Sequence, residues 1–488
     1  MTVPFPDTMD FAGYNAPSRI EADIHDLVIE GEIPAEINGR WYRATPDPQY
    51  PPSYRDDTYL SGDGMVSMFR IENGWVDFKS RYVMTERLKA DRAARRSLFG
   101  RYRNPYTDDA SVAHKPGRSA ANTTPIFHAG RLLATKEDGR PVELDPDTLA
   151  TIGEYDFGGK LRSDTVTAHV RIDYDTGYMY FYGYEAGGLA TRDFAYGIVD
   201  PQGNLVSEQW FEAPYAGMVH DFAVTKKHVI FPFFPVTTDL ERMKAGGPHW
   251  TWNFDEETVF GIMPREGTVD QIRWFRGPPA ISFHFLNAFD GVDGDTVNVD
   301  FGVSEMVAFP FMQRDSGLEP ALGHSKRNGV VRWTFDLAGQ DNTWKEAILA
   351  PPGDFPAVAD KDHMKPYEIG YYQGFDPANG PPLAVGPVGV GFNTIHRVNV
   401  KTGERRSYSA GPGTTVQEHV HIASTQPGHE GYLLFIVDLH DSWLSEAHLL
   451  EAEHPERGPI ARIQIPFRLR NQVHGTWVPE AEIHKKEA

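Results

Sequence analysis

The sequence contains no cysteine among its 488 residues. This absence excludes a disulfide framework, zinc–thiolate sites, iron–sulfur clusters and a cysteine nucleophile. Any metal that this chain binds must therefore be held by histidine, aspartate or glutamate side chains.

Basic residues are scarce relative to acidic ones, with 47 Lys and Arg against 68 Asp and Glu and a formal net charge of -21. Such a charge opposes nucleic-acid binding, which needs a basic surface. The basic segment 87–105 is interpreted as a short solvated helix. Long apolar runs are also lacking, since no stretch approaches the roughly 20 apolar residues of a membrane span, and the N-terminal residues lack the features of a signal peptide. We therefore expect no nucleic-acid partner, no membrane span and a cytoplasmic location.

Strand signals dominate the remaining sequence. Aromatic and β-branched runs bounded by Gly, Pro, Asp or Asn predict strands at residues 177–186, 228–236, 431–439 and 459–469. Helical periodicity is confined to residues 86–98 and 237–245. The pattern predicts an all-β protein, and a propeller with diverged blades, a large barrel or a sandwich would each produce it. The Pro/Gly-rich stretch 374–391 is interpreted as a surface loop and not a linker, so we predict a single domain over residues 1–488.

Nineteen histidines are present, and four of them share apolar or small neighbours: His169, His220, His284 and His474. A buried imidazole needs a partner, which is either a hydrogen-bonding group or a metal. The spacing of the four is wide, unlike the short ligand loops of structural zinc sites. Ligands donated by separate strands would be spaced in this way, and so would four ordinary core histidines. The residues alone leave both interpretations open.

Short segments in a fixed order carry a resemblance to a known family. Besides the four histidine contexts, they are residues 19–23 (RIEAD), 29–34 (IEGEIP), 38–43 (NGRWYR), 62–65 (GDGM), 99–105 (FGRYRNP), 136–139 (KEDG), 466–470 (PFRLR) and 474–477 (HGTW). The chain resembles the carotenoid cleavage oxygenases, and more closely their lignostilbene dioxygenase and isoeugenol oxygenase branch. The resemblance implies an all-β fold, a seven-bladed β-propeller with capping loops and short helices over a metal site on its axis.

The resemblance also implies a ligand set for Fe(II), namely His169, His220, His284 and His474. The carboxylates at positions that orient these ligands in the family are Glu137, Asp354 and Glu418. The family usually has Glu where this chain has Asp354. Because Asp is one methylene shorter, we expect it to reach its histidine through a water or a shifted loop.

The resemblance also implies that three further residues select the substrate. Tyr102 and Lys136 match the residues that hold the 4-hydroxyl group of the substrate in lignostilbene-type enzymes. Leu60 stands where those enzymes carry an aromatic residue, and an aliphatic residue there is similar to the isoeugenol-type enzymes. The implied activity is an Fe(II)- and O2-dependent cleavage of the C=C bond of 4-hydroxyaryl alkenes to aromatic aldehydes.

Two other functions stay open on the sequence. Cleavage of a carotenoid or apocarotenoid is the alternative enzymatic activity, for which the apolar run 229–234 could feed a membrane-facing patch, although we expect a buried strand there. A propeller that serves only as a binding module is the non-enzymatic alternative. The expected partners are O2 and a small hydrophobic phenolic alkene, and a homodimer is an open possibility for the assembly.

Overall fold

The computed structural model describes residues 3–113, 117–253, 255–292, 294–304, 308–313 and 328–484. Within these residues the first strands along the chain are β1 Ala22–Ile24, β2 Ile29–Gly31, β3 Gly39–Pro46, β4 Gly64–Glu72, β5 Trp75–Tyr82, β6 Thr124–His128, β7 Arg131–Thr135, β8 Val142–Leu144, β9 Thr151–Glu154, β10 Arg171–Ile172 and β11 Met179–Tyr184. The next are β12 Asp193–Val199, β13 Leu205–Glu212, β14 Ala223–Val224, β15 His228–Phe233, β16 Val236–Thr237, β17 Thr251–Trp252, β18 Thr258–Pro264, β19 Arg273–Gly277, β20 Phe285–Asp290, β21 Thr296–Ser304 and β22 Asn328–Asp336. The last are β23 Trp344–Ala350, β24 Asp354–Ala357, β25 Ile369–Gly374, β26 Thr394–Asn399, β27 Arg405–Tyr408, β28 Thr414–Val416, β29 Val420–Ile422, β30 Tyr432–Leu439, β31 Leu444–Glu451, β32 Ala461–Ile465 and β33 Gly475–Pro479.

Helices are few and short in the described part of the chain. The α-helices are α1 Glu86–Ala94, α2 Leu240–Lys244, α3 Pro310–Gln313 and α4 Glu480–Ile483. Three-residue 3-10 helices lie at Gly13–Asn15, Tyr59–Ser61, Pro105–Thr107, Val269–Gln271, Asp360–Asp362, Pro377–Asn379 and Pro455–Arg457. Both predicted helices are confirmed, but they are shorter than predicted. Helix α1 begins after the capping side chain of Thr85, and it ends at Ala94 because Arg95 adopts a left-handed conformation.

The described strands form seven sheets of four or more strands. Their strand orders are β1-β5-β4-β3-β33, β6-β7-β8-β9, β10-β11-β12-β13, β14-β15-β18-β19, β20-β21-β22-β23, β24-β25-β26-β27 and β2-β32-β31-β30-β28, with β29 also paired to β30. A separate two-stranded sheet joins β16 and β17. The expected all-β, seven-bladed β-propeller is thereby confirmed.

The contacts divide the chain into two compact units, and the predicted single domain over residues 1–488 stays a prediction. One unit comprises Met1–Asp156, Phe375–His396 and Arg406–Ala488, and the other comprises Phe157–Gly374 and Arg397–Arg405.

Strands from both ends of the chain share sheets in the first unit. Strand β33 pairs with β3, which places Trp477 opposite Trp41, and β2 pairs with β32. An apolar core that includes Trp41, Phe69 and Leu449 packs behind these strands. The two chain ends are therefore held by ladder hydrogen bonds and by the burial of large apolar side chains.

Two sequence interpretations concern segments that the structure describes. After Gly374, the last residue of β25, the stretch 374–391 leads towards β26, which neighbours β25 in one sheet; the boundary between the two units falls directly after Gly374, so its interpretation as a loop inside one domain stays a prediction. The apolar run 229–234 belongs largely to β15, whose side chains after His228 are buried, so it forms the expected buried strand. No α-helix among the described residues is long and apolar enough to cross a membrane.

Candidate functional site

The four histidines predicted to bind metal stand just before the edge strands of four different sheets. His169 lies two residues before β10, His220 lies three residues before β14, and His284 directly precedes β20. His474 directly precedes β33. Because each sheet supplies one ring, the ligands are far apart in the sequence, which explains the wide spacing that the sequence shows.

The histidine rings converge through one nitrogen each. The Nε2 atom of His220 lies 3.2 Å from Nε2 of His169 and 3.2 Å from Nε2 of His284. The potential ligand atoms of all four histidines, including His474, lie within 4.8 Å of one another. The structure therefore brings the four histidines together as one group that could hold a metal ion, and their role as metal ligands stays a prediction.

Two carboxylates contact two of the histidine rings through Nδ1. Nδ1 of His284 donates to Oδ1 of Asp354 at 2.8 Å, and Nδ1 of His474 donates to Oε1 of Glu418 at 2.7 Å. The other carboxylate oxygen of Glu418 accepts from the backbone N–H of Gly475 at 2.6 Å. A proton held on Nδ1 leaves Nε2 with a free lone pair. The free Nε2 lone pairs of these two rings belong to a group whose potential ligand atoms all lie within 4.8 Å of one another, and such a donor set fits a divalent transition metal.

Asp354 reaches its histidine directly, without the water that its short side chain led us to expect as one alternative. Strand β24 has a register shift between Asp354 and Ala357, and Phe355 adopts a left-handed backbone with φ of 51°. The ring of Phe355 also stacks on that of His284, with 5.1 Å between ring centroids. The irregular backbone at this point accompanies the direct contact of the shorter carboxylate.

Glu137 occupies a buried position beside a cation. Its Oε1 atom lies 3.7 Å from Nη1 of Arg103, and both side chains are almost fully buried. The expected role of Glu137 in orienting a ligand histidine stays a prediction.

The three residues predicted to select the substrate lie together. Nζ of Lys136 donates to the backbone carbonyl of Leu60 at 3.1 Å and lies 5.0 Å from the ring centroid of Tyr102. The backbone N–H of Tyr102 donates to Oδ1 of Asp57 at 3.0 Å, which anchors the turn that presents the ring. Oδ2 of Asp138 lies 3.7 Å from Nζ of Lys136.

Burial dominates the electrostatics of this group. Burial lowers the pKa of Lys136 to about 8, although Asp138 acts in the opposite direction. Burial also raises the pKa of the Tyr102 phenol, and the charge of Glu137 adds to this effect. At neutral pH the pair therefore presents an ammonium and a neutral phenol. Both are hydrogen-bond donors that suit an anionic oxygen atom.

Sequence reasoning did not single out two acidic residues that the structure connects to these groups. Asp138 lies beside Lys136, and Asp221 bonds to Arg171 and to the backbone of Phe285. Each stands one or two residues from a residue that the sequence did single out. This closeness in the sequence was the signal that could have drawn attention to Asp138 and Asp221. It does not show, however, which residues their side chains contact.

Nearly the whole chain is similar to known proteins. Residues 15–479 match the family described as "Retinal pigment epithelial membrane protein". The isoeugenol monooxygenase of Pseudomonas nitroreducens is 40% identical over 95% of this chain and 96% of that protein. The resveratrol cleavage oxygenase 1 of Aspergillus fumigatus is 38% identical over 99% of this chain and 98% of that protein.

A solved structure is similar over the same range. The crystal structure of the lignostilbene dioxygenase of Pseudomonas brassicacearum superimposes with a TM-score of 0.94 at 42% identity, covering 98% of this chain and 100% of that one. The strand arrangement, the four-histidine group and the similarity along the chain agree with one another. The chain therefore belongs to the retinal pigment epithelial membrane protein family of carotenoid cleavage oxygenases, and it is an alkene-cleaving oxygenase.

Proposed function

We propose that the chain is an Fe(II)-dependent oxygenase that cleaves the C=C bond of 4-hydroxyaryl alkenes with O2 and releases aromatic aldehydes. The observation that carries the proposal is the contact between the buried ammonium of Lys136 and the half-buried ring of Tyr102 in a chain that also has the four-histidine group. The relatives described above are named for isoeugenol, resveratrol and lignostilbene, and each of these compounds conjugates a phenol to an alkene.

The four histidines would hold the iron through Nε2, and Asp354 and Glu418 would orient two of the rings. Four neutral imidazoles leave the charge of Fe(II) uncompensated in the ligand set, and the carboxylates behind the rings offset part of it without touching the metal. Fe(II) bound at this place supplies the activation of O2.

The contribution of Lys136 and Tyr102 is to bind and polarise the phenol. An ammonium close to a phenol lowers the pKa of that phenol, because it stabilises the phenolate. Tyr102 stays neutral, so it can donate its hydroxyl hydrogen to the same oxygen. The phenolate pushes electron density through the ring into the conjugated alkene, which favours attack by an oxidant. The alkene and O2 together contain all the atoms of the two carbonyl products.

A buried lysine argues against the carotenoid alternative. Keeping an ammonium out of water is costly, and Asp138, 3.7 Å away, offsets only part of that cost, because the pKa of Lys136 stays below its usual value. A phenolate oxygen would supply a further partner, whereas a carotenoid hydrocarbon has no acidic hydroxyl group for Lys136 to bind. The apolar run that could have formed a membrane-facing patch is a buried strand. The first observation supports the phenolic substrate class, and the second removes the membrane-facing patch that the carotenoid alternative could have used. A cytoplasmic location and a homodimer stay predictions.

A substrate panel tests the proposal. The purified chain, loaded with Fe(II), is incubated in air with isoeugenol, resveratrol, a lignostilbene and an apocarotenal, and the products are identified by mass spectrometry. We expect aldehydes from one or more of the phenolic alkenes and about one iron per chain. Cleavage of the apocarotenal alone would establish the carotenoid alternative. A chain that binds no iron and cleaves none of the compounds would contradict the proposal.

A further inference from the structure

We propose that Asp221 is a positioning residue, which sets the relative placement of the three ligand segments that carry His169, His220 and His284. The inference rests on the metal-binding role assigned above to these histidines. Asp221 directly follows His220 in the sequence, and its side chain is 3% exposed. A buried carboxylate requires compensating hydrogen bonds and charge, and Asp221 obtains them from the two other histidine-bearing segments.

The first link joins the segment of His220 to that of His169. Nη2 of Arg171, two residues after His169, lies 2.7 Å from Oδ1 and 2.6 Å from Oδ2 of Asp221. Nε of the same guanidinium donates to the backbone carbonyl of Phe222 at 2.8 Å. Arg171 therefore binds both the side chain of Asp221 and the backbone carbonyl of Phe222, the two residues that follow His220.

The second link joins the segment of His220 to that of His284. The backbone N–H of Phe285, directly after His284, donates to Oδ2 of Asp221 at 2.8 Å. The backbone N–H of Phe222 donates to Oδ1 at 2.7 Å. Each oxygen of the carboxylate thus accepts one backbone N–H in addition to the guanidinium, and both links start from one residue.

A carboxylate is the group that this arrangement requires. Asp offers only acceptors, whereas Asn replaces one oxygen with an amide nitrogen that carries two hydrogens. In an Asp221→Asn variant that nitrogen would face donors, either the N–H of Phe285 or that of Phe222, and Arg171 would lose its counter-charge. At least one link would then open. Glu418 provides a parallel, because it binds both the ring of His474 and the N–H of the next residue.

The test measures metal binding in the full-length protein. Parent and Asp221→Asn proteins are stripped of metal and titrated with Fe(II) and, separately, with Co(II) in competition with a chelator of known affinity. The visible absorption of the Co(II) protein reports the arrangement of the ligands. We expect the substitution to weaken metal binding by roughly 10–100-fold, as changes behind metal ligands commonly do, and to alter the Co(II) spectrum.

A matched control separates positioning from general stability. Asp290 is also a mostly buried carboxylate, and it accepts from the Thr225 hydroxyl at 2.8 Å, from His228 Nδ1 at 2.7 Å and from the Lys227 N–H at 3.1 Å. Its Asn variant is expected to lower the melting temperature while the metal affinity and the Co(II) spectrum stay at the parent values. We therefore expect metal affinity and the Co(II) spectrum to change in Asp221→Asn but not in Asp290→Asn. A purely structural role of Asp221 would leave both unchanged.

The outcomes are distinct. Parent-like metal affinity and an unchanged Co(II) spectrum in Asp221→Asn would overturn the inference, as would equal losses of affinity in the two variants. A parent protein that binds neither metal would overturn the proposed function itself. If Asp221→Asn does not fold, Arg171→Lys replaces it, since lysine keeps the charge but cannot bind the side chain and the backbone at once. Unchanged metal binding in Arg171→Lys would then overturn the inference.

Discussion

The charge of Lys136 should be visible in the pH dependence of the reaction. Its side chain is 3% exposed, and burial lowers its pKa to about 8. With that pKa, about nine in ten molecules carry the ammonium at pH 7 and about one in ten at pH 9. Deprotonation removes the positive charge that stabilises the phenolate. We therefore expect kcat/KM for isoeugenol to fall about tenfold between pH 7 and pH 9.

Charged residues around Lys136 also shift its pKa. Arg87, Arg103 and Arg118 lower its pKa in addition to burial, whereas Asp138 raises it. Glu137 lies against Arg103. Because the pKa in the folded chain is below the usual lysine value of 10.5, the unfolded chain binds this proton more tightly. The contribution of Lys136 to the free energy of unfolding therefore rises with pH between about 8 and 10.5. A loss of activity in this range would not result from unfolding linked to Lys136.

The Lys136→Met variant isolates the charge, since Met keeps much of the length of the side chain. A hydrogen bond to a charged group contributes roughly 1.5–3 kcal/mol, which corresponds to a loss of about 10–150-fold in kcat/KM at pH 7. The variant should also lose the fall in rate above pH 8. Its iron content should stay normal. Lys401→Met is a control, because Lys401 is an exposed lysine paired with Glu368, and it should behave like the parent.

Methylation of the 4-hydroxyl group of the substrate completes a double-mutant cycle. The parent enzyme should discriminate strongly against the methoxy compound, from which no phenolate can form, whereas the Lys136→Met enzyme should discriminate much less. Initial rates and product analysis on both substrates supply the four values. Ionisation of the free phenol would change the rate in the opposite direction, upward with pH. Equal losses on the two substrates, or a parent profile that is flat from pH 7 to pH 9, would refute the phenolate role.

Three further outcomes are expected. Replacing His284 with Ala should abolish activity and remove the iron measured by metal analysis, whereas His128→Ala should keep both; full iron in the first variant would contradict the ligand assignment. Asp354→Ala should lower iron occupancy or turnover by roughly 10–100-fold, while Asp354→Glu should be tolerated, and unchanged kinetics in the Ala variant would show that the contact with His284 has no role. Leu60→Phe should raise the ratio of kcat/KM for a lignostilbene over isoeugenol by about tenfold, the lower range of what a change in pocket size produces, and an unchanged ratio would remove Leu60 from the specificity-determining residues.

The sequence determined the class of the fold and the chemistry of the donors. Alternating aromatic and β-branched runs between Gly-containing turns predict strands from local preferences alone, and β11, β15, β30 and β32 lie within the predicted runs. The absence of cysteine restricted any metal site to nitrogen and oxygen ligands. The resemblance carried by short motifs then predicted the four histidines as ligands and the Tyr102–Lys136 pair as a substrate-binding pair. All of these properties depend on residue type and near neighbours in the sequence.

The tertiary structure decided which groups meet. A propeller, a barrel and a sandwich share the same local pattern and differ only in which strands pair, and the pairing of β33 with β3 joins opposite ends of the chain. The contact between Asp354 and His284 spans 70 positions and lies where the backbone is irregular, which the sequence does not reveal. The bonds from Asp221 to Arg171 and to Phe285 span 50 and 64 positions. Side-chain direction at such separations is determined by long-range backbone pairing and packing, which residue type alone does not encode.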